Sequence, residues 1–241
     1  MKTKAALPLR TRPTTARPFV LVNMAMTADG KIATANRRLS SFGSKQDQHH
    51  LYELRATVDA VMAGARTLDL NEVRLGPGGA QFRRERLRRG LAEYNLRIVV
   101  SGTGSIDPRA AIFQRRFAPL ILLTTERSTR ARRRRLETLV DELLICGEQE
   151  LDFGYALGEL RRRHGVRRLL CEGGGELNAA LFQGGWIDEL HLTICPLLLG
   201  GRGAPTIADG KNLPLASSSL WRIWSTRRVG TELFVVCRPR R

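Results

Sequence analysis

An acidic residue followed by three glycines is the feature of this sequence best suited to chemistry. Glu172 ends an apolar run and is followed by glycines 173–175. Glycine has no Cβ, so the backbone there can turn sharply and approach a ligand closely. A helix starting near Glu176 would point its free amide groups and the positive end of its dipole into the gap, where phosphate or pyrophosphate is the natural occupant. A tight strand-to-helix connection without a ligand is the alternative.

Length and composition predict a globular protein with one substantial core. Of the 241 residues, 42% are apolar and 26% charged, and no apolar run approaches the ~20 residues of a membrane span. The four cysteines form no CxxC pair, which argues against a zinc site or a disulfide framework and favours reduced cysteines in a cytoplasmic protein. We predict a disordered basic arm over residues 1–17 and one domain over residues 18–241.

The charge balance predicts anionic ligands. The chain has 40 Lys and Arg against 23 Asp and Glu, a formal net charge of +17. Such a field favours anions and also gives non-specific affinity for nucleic acids. Because aromatic residues are only 6% of the chain, we expect no specific nucleic-acid binding, and we interpret Arg83–Arg89 and Arg130–Arg135 as solvated helix faces.

Hydrophobic periodicity predicts strands that alternate with helices. The predicted strands are Phe19–Met24, Asp59–Gly64, Arg97–Val100, Leu120–Thr124, Leu143–Cys146, Arg168–Cys171 and Glu189–Cys195, followed by a hairpin of Leu220–Val229 and Glu232–Arg238. The predicted helices are Ser44–Ala56, Gln81–Tyr94, the Arg-rich segment after Thr124, Asp152–His164 and the one near Glu176. This order predicts an α/β fold, a three-layer α/β/α sandwich whose mixed, mostly parallel sheet has antiparallel C-terminal strands.

Two local patterns carry more detailed expectations. Ser44 with Asp47 three residues later is a variant of the capping box, in which the acid would bond back to the cap residue. In the strand Glu189–Cys195 we expect the leucines and the isoleucine to face inward, opposite His191 and Thr193. We assign no chemistry to His49, His50, His164 or His191.

Several motifs in order resemble the riboflavin-biosynthesis reductase family. They are VNMAMTADGKIAT, LRATVDAVMAGARTL, RIVVSG, LLCEGGGELNAALF, IDELHLTICPLLLGG and APTIADG, within Pro18–Arg238. The family comprises the reductase domain of the bifunctional deaminase–reductase and its stand-alone relatives, with a dihydrofolate-reductase-like fold. Asn23 stands where the fused forms usually carry lysine, so the chain is more similar to the stand-alone members.

The resemblance implies NADPH-dependent reduction of a ribosylamino-pyrimidine 5′-phosphate to its ribitylamino product, and a homodimer. The implied cofactor contacts are Ala25, Thr67, Asn71, Ser101, Gly102, Gly173, Gly174, Gly175, Glu176, Leu177 and Asn178. The implied substrate contacts are Asn23, Asp29, Arg55, Leu75 and Glu172. No catalytic acid or base and no metal ligand is implied. Thr67 equally fits a helix cap, and Asp29 before glycine equally fits an ordinary turn.

The chain departs from the family pattern in one place. An arginine that binds the substrate phosphate is typical of the family, and Gly78 falls at that position, which leaves Arg74 as the nearby substitute. Two alternatives therefore remain open. One is a reductase of the same fold acting on a pterin, a folate or another imine or carbonyl compound. The other is an NADP-binding or nucleic-acid-binding module without activity.

Overall fold

The computed structural model describes residues 16–36, 42–70, 73–210 and 220–240. The strands are β1 (Phe19–Thr27), β2 (Ala60–Gly64), β3 (Leu96–Val100), β4 (Leu120–Thr124), β5 (Glu142–Ile145), β6 (Arg168–Cys171), β7 (Glu189–Cys195), β8 (Trp221–Val229) and β9 (Glu232–Pro239). The helices are α1 (Lys45–Arg55), α2 (Ala65–Leu70), α3 (Ala80–Arg88), α4 (Ala111–Gln114), α5 (Arg130–Glu137), α6 (Phe153–His164) and α7 (Gly175–Gln183).

The strands form one sheet in the order β5-β4-β3-β2-β6-β1-β7-β9-β8. All neighbours from β5 to β7 are parallel, and β9 and β8 are antiparallel to their neighbours. The expected mixed sheet with antiparallel C-terminal strands is therefore confirmed. Its parallel part brings the carboxyl ends of seven strands to one edge, which is where open α/β sheets bind ligands.

Two hydrophobic cores lie on the two faces of the sheet. One core packs β-strand side chains against α6 and α7, through residues such as Leu157 and Leu181. The other packs the opposite face against α1, α2, α4 and α5, through residues such as Leu54, Leu68 and Leu136. Burial on both faces explains why the central strands read as continuous apolar runs.

Helix ends follow local signals, with one exception. Ser44 caps α1 as expected, and Asp152 caps α6, each through a side-chain oxygen that accepts from backbone N–H groups of the first turn. The predicted helix Gln81–Tyr94 is wrong at its end, because α3 stops at Arg88. Gly90 follows with a φ of +71°, a left-handed conformation that glycine adopts readily and that ends helices.

The arginines of α3 do not all face solvent, contrary to our interpretation of Arg83–Arg89. Arg86 is completely buried. Its guanidinium donates to the carbonyl oxygens of Arg55 and Val58, at 2.6 Å each, and of Ala92, at 2.9 Å. A buried charge needs such partners, so Arg86 fastens α3 to the end of α1.

The polar face of β7 is also buried, which corrects the expectation that only its apolar residues face inward. Glu189, His191 and Thr193 are more buried than Leu192. His191 Nε2 lies 2.8 Å from Glu189 Oε1, and His191 Nδ1 lies 3.2 Å from His50 Nε2. Both faces of β7 are therefore covered, one of them by α1.

The described residues at the amino terminus begin next to the predicted boundary between the arm and the domain. The predicted arm over residues 1–17 falls largely outside the described residues, but Arg17 is attached to the domain. Its guanidinium donates to both carboxylate oxygens of Asp188, at 2.6 and 2.9 Å. Among the described residues, no helix has the length and apolar character needed to cross a bilayer.

Candidate functional site

The carboxyl ends of the parallel strands open into a cavity of about 2100 Å³. Its wall includes most of the residues expected at a ligand site. These are Asn23, Ala25, Arg55, Thr67, Leu75, Ser101, Gly102, Glu172, Gly174, Gly175, Glu176 and Leu177. The sheet explains this convergence, because side chains and loops at the ends of adjacent parallel strands meet at one edge.

The glycine turn after β6 leaves the amino end of α7 open towards the cavity. No side chain of the described residues caps α7, whose first residue is Gly175. A Cβ on Gly175 would lie 2.5 Å from Asp209 Oδ2 and 2.6 Å from the carbonyl oxygen of Thr206. Only glycine therefore fits, and the first amides of α7 face the cavity with the positive end of the helix dipole.

Neighbouring segments hold the turn in place. The Gly174 N–H donates to Thr67 Oγ1 at 3.2 Å, so Thr67 has a structural contact as well as a place in the cavity wall. Asp209 N–H donates to the Gly175 carbonyl at 3.0 Å. Arg66 and Glu176 form an exposed ion pair across the turn. The turn is therefore fixed from α2 and from the loop before residue 210.

Two expected substrate contacts bind each other. Arg55 Nε and Nη2 donate to Glu172 Oε1 and Oε2, each at 2.6 Å, and Nη1 donates to the Gly76 carbonyl at 2.6 Å. Both side chains are about nine-tenths buried. Burial is the largest single influence and lowers the pKa of Arg55, but the charge and the hydrogen bonds of Glu172, with a smaller contribution from Tyr52, together outweigh it, so the net shift is upward. The pair is a rigid, charged part of the wall with its hydrogen bonds largely satisfied.

A second polar group lies partly on the wall, and we call it the acceptor corner: Asn23 and Asp47, which line the cavity, and Thr193, which does not. Asn23 Oδ1, Asp47 Oδ1 and Thr193 Oγ1 are buried and have no hydrogen-bond partner among the described residues. Asn23 and Asp47 line the cavity, and Thr193 pairs with Ala25 in the register of β1 and β7. The hydroxyl of Thr193 is close enough to lower the pKa of Asp47 and so opposes the upward shift. Thr193 Oγ1 and Asp47 Oδ1 nevertheless do not meet in hydrogen-bonding geometry.

The acceptor corner exists because Asp47 does not bond back to the cap residue Ser44, as the expected capping box requires. Ser44 caps α1, but its own N–H donates to Glu232 Oε1 at 2.8 Å, and its hydroxyl donates to Glu232 Oε2 at 2.6 Å. Glu232 on β9 thus takes the role predicted for Asp47. Burial, together with the charge of Glu232, raises the pKa of Asp47.

Three expected contacts, Asp29, Gly173 and Asn178, are absent from the cavity wall, and a fourth, Leu75, borders it with a side chain that is buried in a core. Asp29 accepts from Thr27 Oγ1, Leu199 N–H and Gly200 N–H, chiefly the first of which lowers the pKa of Asp29 to about 2. Asp29 therefore joins two loops, which agrees with the alternative in which it belongs to an ordinary turn. Leu75 is fully buried in a core and has a φ of +53°. The other two, Gly173 and Asn178, are absent from the cavity lining.

Asn178 and Gly78 are explained by the packing around them. Asn178 is fully buried, and its amide donates to the Ile207 carbonyl at 2.9 Å. Gly78 has a φ of +90°, and a Cβ there would lie 2.6 Å from the Tyr52 ring. An arginine therefore does not fit at position 78, whereas Arg74 lines the cavity. Asn71 lies outside the described residues.

Sequence reasoning missed Asp47, Thr193 and Asp209 as parts of the site. A signal existed for Asp209 in the motif APTIADG, but nothing local indicates that it contacts the glycine turn. Among the described residues, no group of three or more His, Cys, Asp or Glu side chains is arranged to hold a metal ion.

Two proteins with sequences similar to this chain are named as the same reductase. A reductase of Archaeoglobus fulgidus named 2,5-diamino-6-ribosylamino-4(3H)-pyrimidinone 5′-phosphate reductase is 32% identical, over 92% of this chain and 98% of its own length. A protein of the same name from Methanothermobacter thermautotrophicus is 32% identical, over 91% and 97%. Both relatives are matched over nearly their whole length.

Solved structures show the same fold. RibD of Acinetobacter baumannii superimposes with a TM-score of 0.75 at 19% identity, over 94% of this chain and 59% of that one. This chain thus spans about three fifths of that protein. A pyrimidine reductase-like protein of Corynebacterium diphtheriae gives 0.73 at 18% identity, over 93% and 92%. The family model described as the RibD C-terminal domain matches residues 18–235, and the chain belongs to that family.

Proposed function

We propose that this protein is an NADPH-dependent reductase that converts 2,5-diamino-6-ribosylamino-4(3H)-pyrimidinone 5′-phosphate to its ribitylamino product in riboflavin biosynthesis. The observation that carries the proposal is the uncapped glycine turn at α7, in a chain of which 92% and 91% are matched by relatives named for this reaction. The cavity accommodates two ligands of this size, because pockets for one drug-sized ligand measure roughly 300–1,000 Å³.

The cofactor fits along the strand ends. The amides of Gly175, Glu176 and Leu177 would hold the pyrophosphate, since helix N-termini bind anions. Parallel strands lie roughly 4.8 Å apart, so Ser101 and Gly102 after β3 would lie two strands, about 10 Å, from that position, within reach of the adenosine end. Ala25, whose small side chain leaves space above β1, would face the nicotinamide. When bound, the reduced nicotinamide supplies a hydride.

The chain's own residues bind and orient the substrate. The Arg55–Glu172 pair gives a rigid charged wall, and Arg74 supplies positive charge for the phosphate in place of the family arginine. Asn23 is placed to contact the ring from the cavity floor. In the reaction the carbon–nitrogen double bond of the ring-opened substrate gains a hydride at carbon and a proton at nitrogen. Holding the two reactants together and away from water supplies much of the catalysis.

Turnover of NADPH tests the proposal. The purified protein is mixed with NADPH and the diaminopyrimidinone phosphate, and the loss of nicotinamide absorbance is followed, with NADH, folate and pterin compounds as parallel reactions. We expect consumption of NADPH that depends on the pyrimidine. Binding of NADPH without turnover of this substrate, or turnover of a pterin in its place, would contradict the substrate assignment.

We also propose a cytoplasmic homodimer. All four cysteines are free, as expected in a reducing compartment. Leu220, Ile223 and Trp224 are more than half exposed on or beside β8, the edge strand of the sheet. Edge strands with exposed apolar residues readily pair with another chain. Light scattering should give twice the chain mass, and Ile223→Lys should shift it towards the monomer.

A further inference from the structure

The acceptor corner presents oxygen atoms that lack donors. Asn23 is 8% exposed and Thr193 1% exposed, and the unpartnered atoms are an amide oxygen, a carboxylate oxygen and a hydroxyl oxygen. Buried polar atoms are nearly always hydrogen-bonded, so each exception calls for a partner other than the described residues. The corner borders the cavity through Asn23 and Asp47. A ligand that enters the cavity is therefore the natural source of the missing donors.

The chemistry of the corner restricts the ligand. A carboxylate accepts two parallel N–H groups best when they are adjacent and coplanar. The 2-amino-4-pyrimidinone ring has such an edge, formed by its ring N3–H and its exocyclic 2-amino group. The deaminated ring, a uracil, keeps the N3–H but places a carbonyl oxygen where the amino group was. That oxygen would face the carboxylate of Asp47 without a hydrogen between them.

We propose that Asp47, together with Asn23 and Thr193, binds the 2-amino edge of the pyrimidine ring and thereby selects the substrate before deamination. The inference rests on the proposed function and adds a specificity-determining residue to it. Asp47 accepts the N3–H and one amino hydrogen, and the oxygens of Asn23 and Thr193 are further acceptors at the same corner. The contact is available because Glu232 caps the amino end of α1 in place of Asp47.

The two rings differ in how many hydrogen bonds they donate to the Asp47 carboxylate. With the 2-amino ring the carboxylate is satisfied by two charge-assisted bonds. With the 2-oxo ring one bond is lost and two acceptors face each other across a buried gap. Sites built to hydrogen-bond a substrate group discriminate strongly against an analogue that lacks it, because their own polar atoms stay unpaired. The ratio of kcat/KM for the two rings therefore measures how strongly the acceptor corner discriminates between them.

Asp47→Asn is the principal test. The ratio of kcat/KM for the 2-amino substrate over its 2-oxo counterpart is measured for the wild type and the variant. The amide keeps one acceptor and turns an N–H₂ group towards the ligand's amino group, so we expect the ratio to fall by about tenfold or more. Thr193→Val, nearly the same shape, should lower the ratio less. Glu85→Gln on α3, outside the cavity wall, is the matched control and should leave the ratio unchanged.

Two outcomes would overturn the inference. One is an Asp47→Asn variant that loses kcat/KM equally for both rings, since a merely structural role predicts equal loss. The other is a wild type that prefers the 2-oxo ring. If neither phosphate is turned over, the proposed function fails, and calorimetric binding of the two ring compounds without the sugar phosphate still tests the corner. Equal binding of the two rings in that experiment would refute it.

Discussion

The Arg55–Glu172 pair and the acceptor corner are two polar groups on the same cavity wall, and they differ in how they are satisfied. The pair is held by two bonds of 2.6 Å between the side chains and a third from Arg55 to a backbone carbonyl. In the corner, no donor from the described part of the chain reaches the three buried oxygens in hydrogen-bonding geometry. Both are built partly on α1, Arg55 at its end and Asp47 in its first turn. The difference indicates separate roles: the pair holds the wall in shape, and the corner is left for a ligand.

The largest expected effect is on the pair. Glu172→Gln removes one charge and leaves the Arg55 guanidinium buried without a counter-ion. Breaking a buried ion pair by removing one partner costs about 3–5 kcal/mol, and we expect a loss of that size in the free energy of unfolding, measured by urea denaturation. Because the pair also lies on the cavity wall, activity should fall with it.

The double variant Arg55→Met with Glu172→Leu is the control. Replacing both charges by apolar groups of similar volume is often neutral or stabilising, so most of the lost free energy should return. If Glu172→Gln costs under about 1 kcal/mol, the pair behaves like a surface ion pair, and the contrast with the acceptor corner disappears.

The backbone amides at the start of α7 belong with the acceptor corner, because they too are left for a ligand. Gly175→Ala places a Cβ 2.5 Å from Asp209 Oδ2, and Asp209 is held by two bonds from Thr206. The turn must shift, so we expect NADPH affinity to fall by about tenfold, which corresponds to about 1.4 kcal/mol. Calorimetric titration of the variant with NADPH measures the change.

Gly158→Ala, in α6, is the matched substitution. A Cβ at position 158 meets nothing within 4 Å, and alanine in a helix interior is favoured over glycine by roughly 0.5–1 kcal/mol. This variant should be slightly more stable and bind NADPH as before. Equal losses of NADPH affinity in both variants would mean that the space at Gly175 is not what binding requires.

Local signals in the sequence were enough for the strands, for most of the helices and for the glycine turn. Ser44 caps α1 as expected, and the turn lies at the carboxyl end of a strand in the middle of the sheet. These features depend on residues within a few positions of each other. The family resemblance supplied the expected site residues, most of which line the cavity, and composition and periodicity alone do not identify them.

The acceptor corner was beyond such reasoning, because it depends on a contact across 188 positions. Glu232 on β9 bonds to the N–H of Ser44, and only this long-range bond leaves Asp47 without the partner that the local pattern predicts. Arg86 is similar: a residue in an arginine-rich stretch is buried because carbonyls of another segment meet its guanidinium. In both cases tertiary contacts override a sound local pattern.

The smallest expected effect is on the free energy of unfolding, which the buried carboxylate of the acceptor corner lowers. Burial raises the pKa of Asp47 in the folded protein, with Glu232 on β9 adding to the shift and Thr193 on β7 opposing it. The unfolded chain therefore loses this proton at lower pH than the folded protein does, and Asp47 destabilises the wild type as pH rises from about 3.8 through its raised value. Asp47→Asn cannot ionise. The unfolding free energy of the variant minus that of the wild type should thus increase with pH and then level off. Urea denaturation from pH 4 to 7 measures this difference, and a constant or falling difference would show that the buried carboxylate carries no such cost in the absence of ligand.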